Sequence, residues 1–187
     1  MRALILSFFA ASMIAIALGV PARAADDVAT DARACGACHG DNGQPVTPDI
    51  PIVDGQQGNY LYKELHDYHS GARANPVMAA IVKPLSLPEL RALANYLAAR
   101  PWPARQGSVA AAAALPDGGA MCRACHGPNF EGTPAGPRLA GLNKDYLAAA
   151  MRSFADGGRT NNLDMPGFMR ALTASQREAI AQYLSSL

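Results

Sequence analysis

All four cysteines of the chain lie in two copies of one six-residue pattern, CGACHG at residues 35–40 and CRACHG at residues 122–127. Cys35 and Cys38 are followed at once by His39, and Cys122 and Cys125 by His126. On a helical turn residues i and i+3 share a face and i+4 lies beside them, so two thiols and an imidazole converge on one object. The chemistry that needs this trio is covalent haem attachment, in which each Cys adds to a vinyl group and the His becomes the proximal iron ligand. Two other readings compete. A redox dithiol would sit beside a βαβ pattern, and the sequence has no convincing strand. A zinc site drawn from both motifs, with four thiolates or with three and one imidazole, would leave the paired histidines unexplained.

The cysteines must be read in an exported chain. MRALILSFFAASMIAIALGVPARA opens with a basic Arg2, runs apolar from Ala3 to Val20 and ends Ala22-Arg23-Ala24. This is the layout of a secretory signal with an A-x-A cleavage site, which places the mature start near Ala25 and the protein in the periplasm. An uncleaved membrane anchor is the alternative, since the apolar run almost spans a bilayer. In an oxidising compartment four cysteines would ordinarily suggest two disulfides, but the C-x-x-C-H spacing argues for haem.

The repeat extends well beyond the cysteines. Pro51, Val53 and Gly55 match Pro137, Leu139 and Gly141; YLYKELHDYHSGAR at 60–73 parallels YLAAAMRSFADGGR at 146–159; LSLPELRALANYL at 85–97 parallels LTASQREAIAQYL at 172–184. The offset is 87 residues at the cysteines, 86 in the middle and 87 again at the end. The chain therefore divides into a leader at 1–24, a first domain at 25–100, a Pro/Ala-rich connector at 101–116 and a second domain at 117–187. Each copy reads as three helices around a loop-rich middle. The first leads into C-x-x-C-H, and the second starts near Asn59 or Asn143 and ends near Gly71 or Gly157, where glycine terminates helices cheaply. Ser86 with Glu89, and Thr173 with Gln176, fit the capping box that opens the third. Leu90, Leu93 and Leu97 then form one apolar stripe, as do Ile180, Leu184 and Leu187.

Such domains, at about 80 residues each, are marginal on protein core alone. Only 6% of the chain is aromatic, a thin supply for two cores. A covalently held macrocycle in each copy would supply the missing apolar centre.

Between the second and third helices the first copy has NPVMAA with Met78, and the second has LDMPGFMRAL with Met165 and Met169. Methionine is usually core filler, yet these residues fall in Pro- and Gly-bearing segments at matching places, read here as loops. They are the candidates for the second axial iron position. Met78 precedes Leu85 by seven residues and Met165 precedes Leu172 by seven, whereas Met169 precedes it by three. Pro166 also disfavours the α region at Met165. Met165 is the expected ligand and Met169 the alternative. His66 and His69 are rivals in the first copy, but their counterparts are Arg152 and Ala155, so both read as helix-surface or propionate-neighbouring residues. Met/His ligation raises the reduction potential and fills both axial positions, which leaves electron transfer rather than oxygen or peroxide chemistry.

Two C-x-x-C-H domains, each with G-x-R or G-G-R, a downstream Met, and L-S/T before a helix ending A-x-Y-L, resemble the dihaem cytochrome c4 family over almost the whole mature chain. The resemblance implies an all-α fold of two tandem class I cytochrome c-like domains with two covalently bound haem c groups. It also implies redox protein partners: a donor such as a quinol-oxidising complex and an acceptor such as a terminal oxidase or reductase, with transient docking at membrane complexes. The family often carries M-x-x-M, where this chain has Met78 with Ile81, and Met165 with Met169.

Formal charge is +1, which gives no footprint for a nucleic-acid partner. From Ala25 to Ala104 there are six Lys/Arg against nine Asp/Glu, a net of −3; from Arg105 to Leu187 there are eight against six, a net of +2. The asymmetry would orient the molecule toward charged partners. A free electron carrier is the first reading of function. The second is the cytochrome subunit of a larger exported oxidoreductase, such as a flavoprotein sulfide dehydrogenase. A haem enzyme fits least: thiosulfate-oxidising dihaem enzymes can use a cysteine ligand, and there is no fifth cysteine.

Overall fold

The computed structural model describes residues 25–103 and 114–187; the leader and most of the connector lie outside them. The described residues form helices and no strand, with a single isolated bridge between Thr133 and Gly136. No helix among them is long and apolar enough to cross a membrane.

The first half contains α1 (Ala25–His39), α2 (Gly58–Ser70), α3 (Pro76–Val82) and α4 (Leu87–Ala99). The second contains a 3₁₀ turn (Ala120–Cys122) followed by α5 (Arg123–His126), α6 (Lys144–Ala155), α7 (Met165–Ala171) and α8 (Ala174–Ser185). In the first half α1 and α2 both pack on α4; in the second, α6 packs on α8 and α7. The three-helix expectation misses one element per half, because Met78 and Met165 each belong to a short helix rather than to a loop.

Local chemistry fixes the longer helices. At α8 the Gln176 N–H donates to Thr173 Oγ1 at 3.2 Å while Gln176 Oε1 accepts from the Thr173 N–H at 2.8 Å, satisfying two end groups at once. Glu89 accepts from the Ser86 N–H at 2.7 Å at the start of α4. Gly71 closes α2 at φ 86°, a left-handed conformation that only glycine enters freely.

Leu90, Leu93 and Leu97 are buried, as are Ile180 and Leu184; Leu187 lies beyond the end of α8 and is exposed. The second half gathers Phe130, Leu147, Phe154, Met169, Ile180 and Leu184 into one continuous core. The first half has two small clusters instead, Val28, Ala32 and Leu93 in one and Leu61, Ala94 and Leu97 in the other.

A seam joins the halves. Gln56 Nε2 donates to the Arg138 carbonyl at 2.9 Å and Gln56 Oε1 accepts from the Arg138 N–H at 2.7 Å. The Tyr146 N–H donates to the Pro48 carbonyl at 3.2 Å. The Arg138 guanidinium lies over the Trp102 ring, 4.3 Å from its centroid. Ile52 crosses the seam to join the second half's core.

Candidate functional site

Each half presents the same local geometry around its C-x-x-C-H motif. His39 ends α1 and His126 ends α5. His39 Nδ1 donates to the Pro51 carbonyl at 2.8 Å, and His126 Nδ1 to the Pro137 carbonyl, also at 2.8 Å. A ring nitrogen committed in this way sets the tautomer and leaves Nε2 with its lone pair free for a metal. Burial lowers the pKa of both imidazoles, partly countered by the carbonyl bonds and, at His39, by Asp54. Both rings are thus held neutral, as iron ligation requires. The sequence marks Pro51 and Pro137 as repeat landmarks, but their role as imidazole acceptors appears only in the fold.

No disulfide joins the four cysteines. Cys35 and Cys122 are partly buried, and that burial raises their thiol pKa values. Among the described residues no group of three or more His, Cys, Asp or Glu side chains gathers to hold a metal ion, so a zinc site shared by both motifs has no donor set. Beside the second motif the 133–136 turn lies close in: a Cβ at Gly136 would stand 2.8 Å from the Cys125 carbonyl oxygen and 3.1 Å from His126 Nδ1. Thr133 Oγ1 donates to the same carbonyl at 2.5 Å. Two thiols on one turn, a neutral imidazole and a close-fitting backbone wall suit a covalently attached macrocycle.

The methionines fall in equivalent pairs. Met78 lies in the first turn of α3 and Met165 opens α7; both are partly buried. Pro166 therefore does not hold Met165 extended: Met165 is the first helical residue and its proline sits in the first turn, where a missing N–H costs nothing. Met169 is 2% exposed within the second core, and the residue 87 positions before it, Val82, is 1% exposed. Both residues of this repeat position are buried, and valine cannot ligate iron. An asparagine three residues before each partly buried methionine holds its backbone: Asn75 Oδ1 accepts from the Met78 N–H at 2.9 Å, and Asn162 Oδ1 from the Met165 N–H at 2.8 Å. Reading the sequence for ligands misses these asparagines, although their 87-residue offset is visible in it.

His66 and His69 do not join either motif. His66 is 43% exposed, with Nδ1 3.7 Å from Asp67, and the His69 carbonyl accepts from Lys83 Nζ at 3.2 Å.

The family model described as Cytochrome c matches residues 110–187. A cytochrome c4 of Pseudomonas aeruginosa is 33% identical over 185 residues, covering 90% of this chain and 92% of that protein. A thiosulfate dehydrogenase electron acceptor of Stutzerimonas stutzeri is 36% identical over 172 residues, covering 83% of this chain and 80% of that protein. The crystal structure of reduced recombinant cytochrome c4 from Pseudomonas stutzeri superposes with a TM-score of 0.75 at 28% identity, covering 89% of this chain and all of that one. Helical halves, paired motifs and near full-length similarity lead to one conclusion: the chain belongs to the cytochrome c4 family, electron carriers rather than enzymes, and carries two covalently bound haem c groups.

Proposed function

We propose that the protein is a free periplasmic carrier that takes single electrons from a quinol-oxidising complex and delivers them to a terminal oxidase or reductase. One observation carries the reading: in both halves the motif histidine has Nδ1 bonded to a proline carbonyl at 2.8 Å, leaving Nε2 for iron. Cys35 and Cys38 would anchor the first haem and Cys122 and Cys125 the second, with His39 and Met78, and His126 and Met165, on the two faces of the irons. When bound, each haem supplies a one-electron ferric/ferrous couple. The chain's part is to hold the imidazoles neutral, close both axial positions and keep small molecules off the metal. Residues 25–100 and 117–187 would form the two monohaem domains, joined by 101–116, after removal of 1–24. The −3 and +2 charges on either side of residue 104 would orient the carrier between partners of opposite sign.

A second reading has one specific support, the similarity to a protein named as a thiosulfate dehydrogenase electron acceptor. On that reading the donor is an exported sulfur-oxidising dehydrogenase, and the chain works as its partner subunit.

The test uses the mature dihaem protein. Reduced protein is expected to be low-spin at both irons, to bind carbon monoxide poorly at neutral pH and to pass electrons rapidly to oxidase-containing membranes of its host. Fast peroxide turnover or a high-spin iron at rest overturns the carrier reading. Rapid reduction by a dehydrogenase that co-purifies with it selects the second.

A further inference from the structure

Arg73 and Arg159 hold matching places in the two repeats, 86 residues apart, and the fold brings them to one carboxylate. Glu64 on α2 accepts from Arg73 Nη1 on Oε2 at 2.6 Å and from Arg159 Nη2 on Oε1 at 2.8 Å. Glu64 is 7% exposed and Arg159 8%. Asn161 Nδ2 donates to Glu64 Oε2 at 3.0 Å and to Asp67 at 2.6 Å, and Lys63 Nζ lies 4.0 Å from Glu64. Aromatic faces hold the guanidinium groups from outside: Arg73 stands 4.7 Å from the Tyr68 centroid and Arg159 4.3 Å from that of Phe154. A cavity of about 210 Å³ opens beside them on the seam, lined by both arginines, Tyr146, Ala150 and Ser153.

The acid, unlike the arginines, is not repeated. The counterparts of Glu64 and Asp67 are Ala150 and Ser153. A second glutamate at position 150 would bring two carboxylates to one seam, where neither ionises freely. One carboxylate between two guanidinium groups offsets part of their positive charge and ties one half to the other.

We infer that Glu64 is a positioning residue shared by both halves, which holds them at their seam and, as a buried negative charge between the two haem-bearing halves, lowers the reduction potential of both. The inference rests on the two-haem reading above. Reduction adds an electron to each centre, and a fixed negative charge in a poorly screened interior opposes it.

The experiment is a spectroelectrochemical titration of the dihaem protein and its Glu64→Gln variant, with thermal melting alongside. Both midpoints are expected to rise, with the reduced-to-oxidised ratio at a fixed ambient potential up about tenfold, or about 59 mV for a one-electron centre. The melting temperature falls. Adding Ala150→Glu to Glu64→Gln returns a carboxylate to the seam from the other half, and is expected to bring midpoints and melting back toward wild type. Unchanged midpoints in Glu64→Gln overturn the inference whatever happens to stability, as do raised midpoints that Ala150→Glu fails to lower. If Glu64→Gln alone fails to fold, recovery of folding with wild-type-like midpoints in the double variant upholds the inference, and its failure to fold overturns it. Fewer than two redox-active haems in the wild type would instead sink the two-haem reading.

Discussion

Asparagine is a poor residue inside a helix and a good one before it, because its carboxamide reaches the orphan N–H groups of the first turn. Asn75 is the N-cap of α3 and holds the Met78 N–H, while Asn162, two residues before the N-cap of α7, holds the Asp164 and Met165 N–H groups. A thioether on a three-bond side chain finds a metal only if its Cα stays in place, so on the proposed ligation by Met78 and Met165 these hydrogen bonds bear on the iron through the backbone. Asn75→Ala or Asn162→Ala is expected to cost about 1 kcal/mol of stability. Each should also cause about half of the near-infrared sulfur-to-iron band to fade at a lower temperature than in the wild type; equal loss of the two halves of the band would refute the link. The motif histidines were legible in the sequence because C-x-x-C-H is local. Pro51 and Pro137 were legible only as landmarks, since an acceptor 12 or 11 residues away is fixed by the loop's path and not by its letters.

At the scale of elements, α3 and α7 carry the methionines proposed for the second axial position. Each is seven residues long, too short to display a helical period, so Pro76 in one and Pro166 with Gly167 in the other read as loop. The longer helices were legible because cap and stripe are both local signals, at Ser86 and Thr173 and along Leu90, Leu93 and Leu97. Met165 and Met169 stand one turn apart on the same side of α7 and differ in depth: Met165 is partly buried and Met169 is 2% exposed. Met165→Ala is expected to abolish about half of the sulfur-to-iron band. Met169→Val, which installs the residue found at the equivalent Val82, should keep the whole band and lose roughly 1–2 kcal/mol by under-filling the core. Loss of band in the second variant and not the first reverses the assignment.

The seam belongs to the whole molecule, and none of it was readable beforehand, because its hydrogen-bonded partners stand 82 to 99 residues apart in the chain. Its acid dependence follows from Asp67. Burial pushes that carboxyl up, but hydrogen bonds from Lys63 and Asn161 outweigh it and hold the pKa below the usual value. A carboxyl depressed in the fold contributes stability above its unfolded pKa of about 3.9, and the contribution is lost as pH falls through the lower folded value. Asp67→Asn is therefore expected to melt at a lower temperature than wild type at pH 7, with the gap narrowing below about pH 4; a gap that stays constant to pH 2 would exclude this role. The core across the seam has a consequence of another kind. Ile52 follows the first C-x-x-C-H motif in the chain, yet it completes the hydrophobic cluster built around the second. A gene duplication ordinarily yields cassettes that can be cut apart, shuffled and expressed singly. Here the cut would take a wall from one room and leave it standing in the other: the second half, made alone, would open a hole in its core, and a graft of it onto a foreign partner would need a substitute for Ile52.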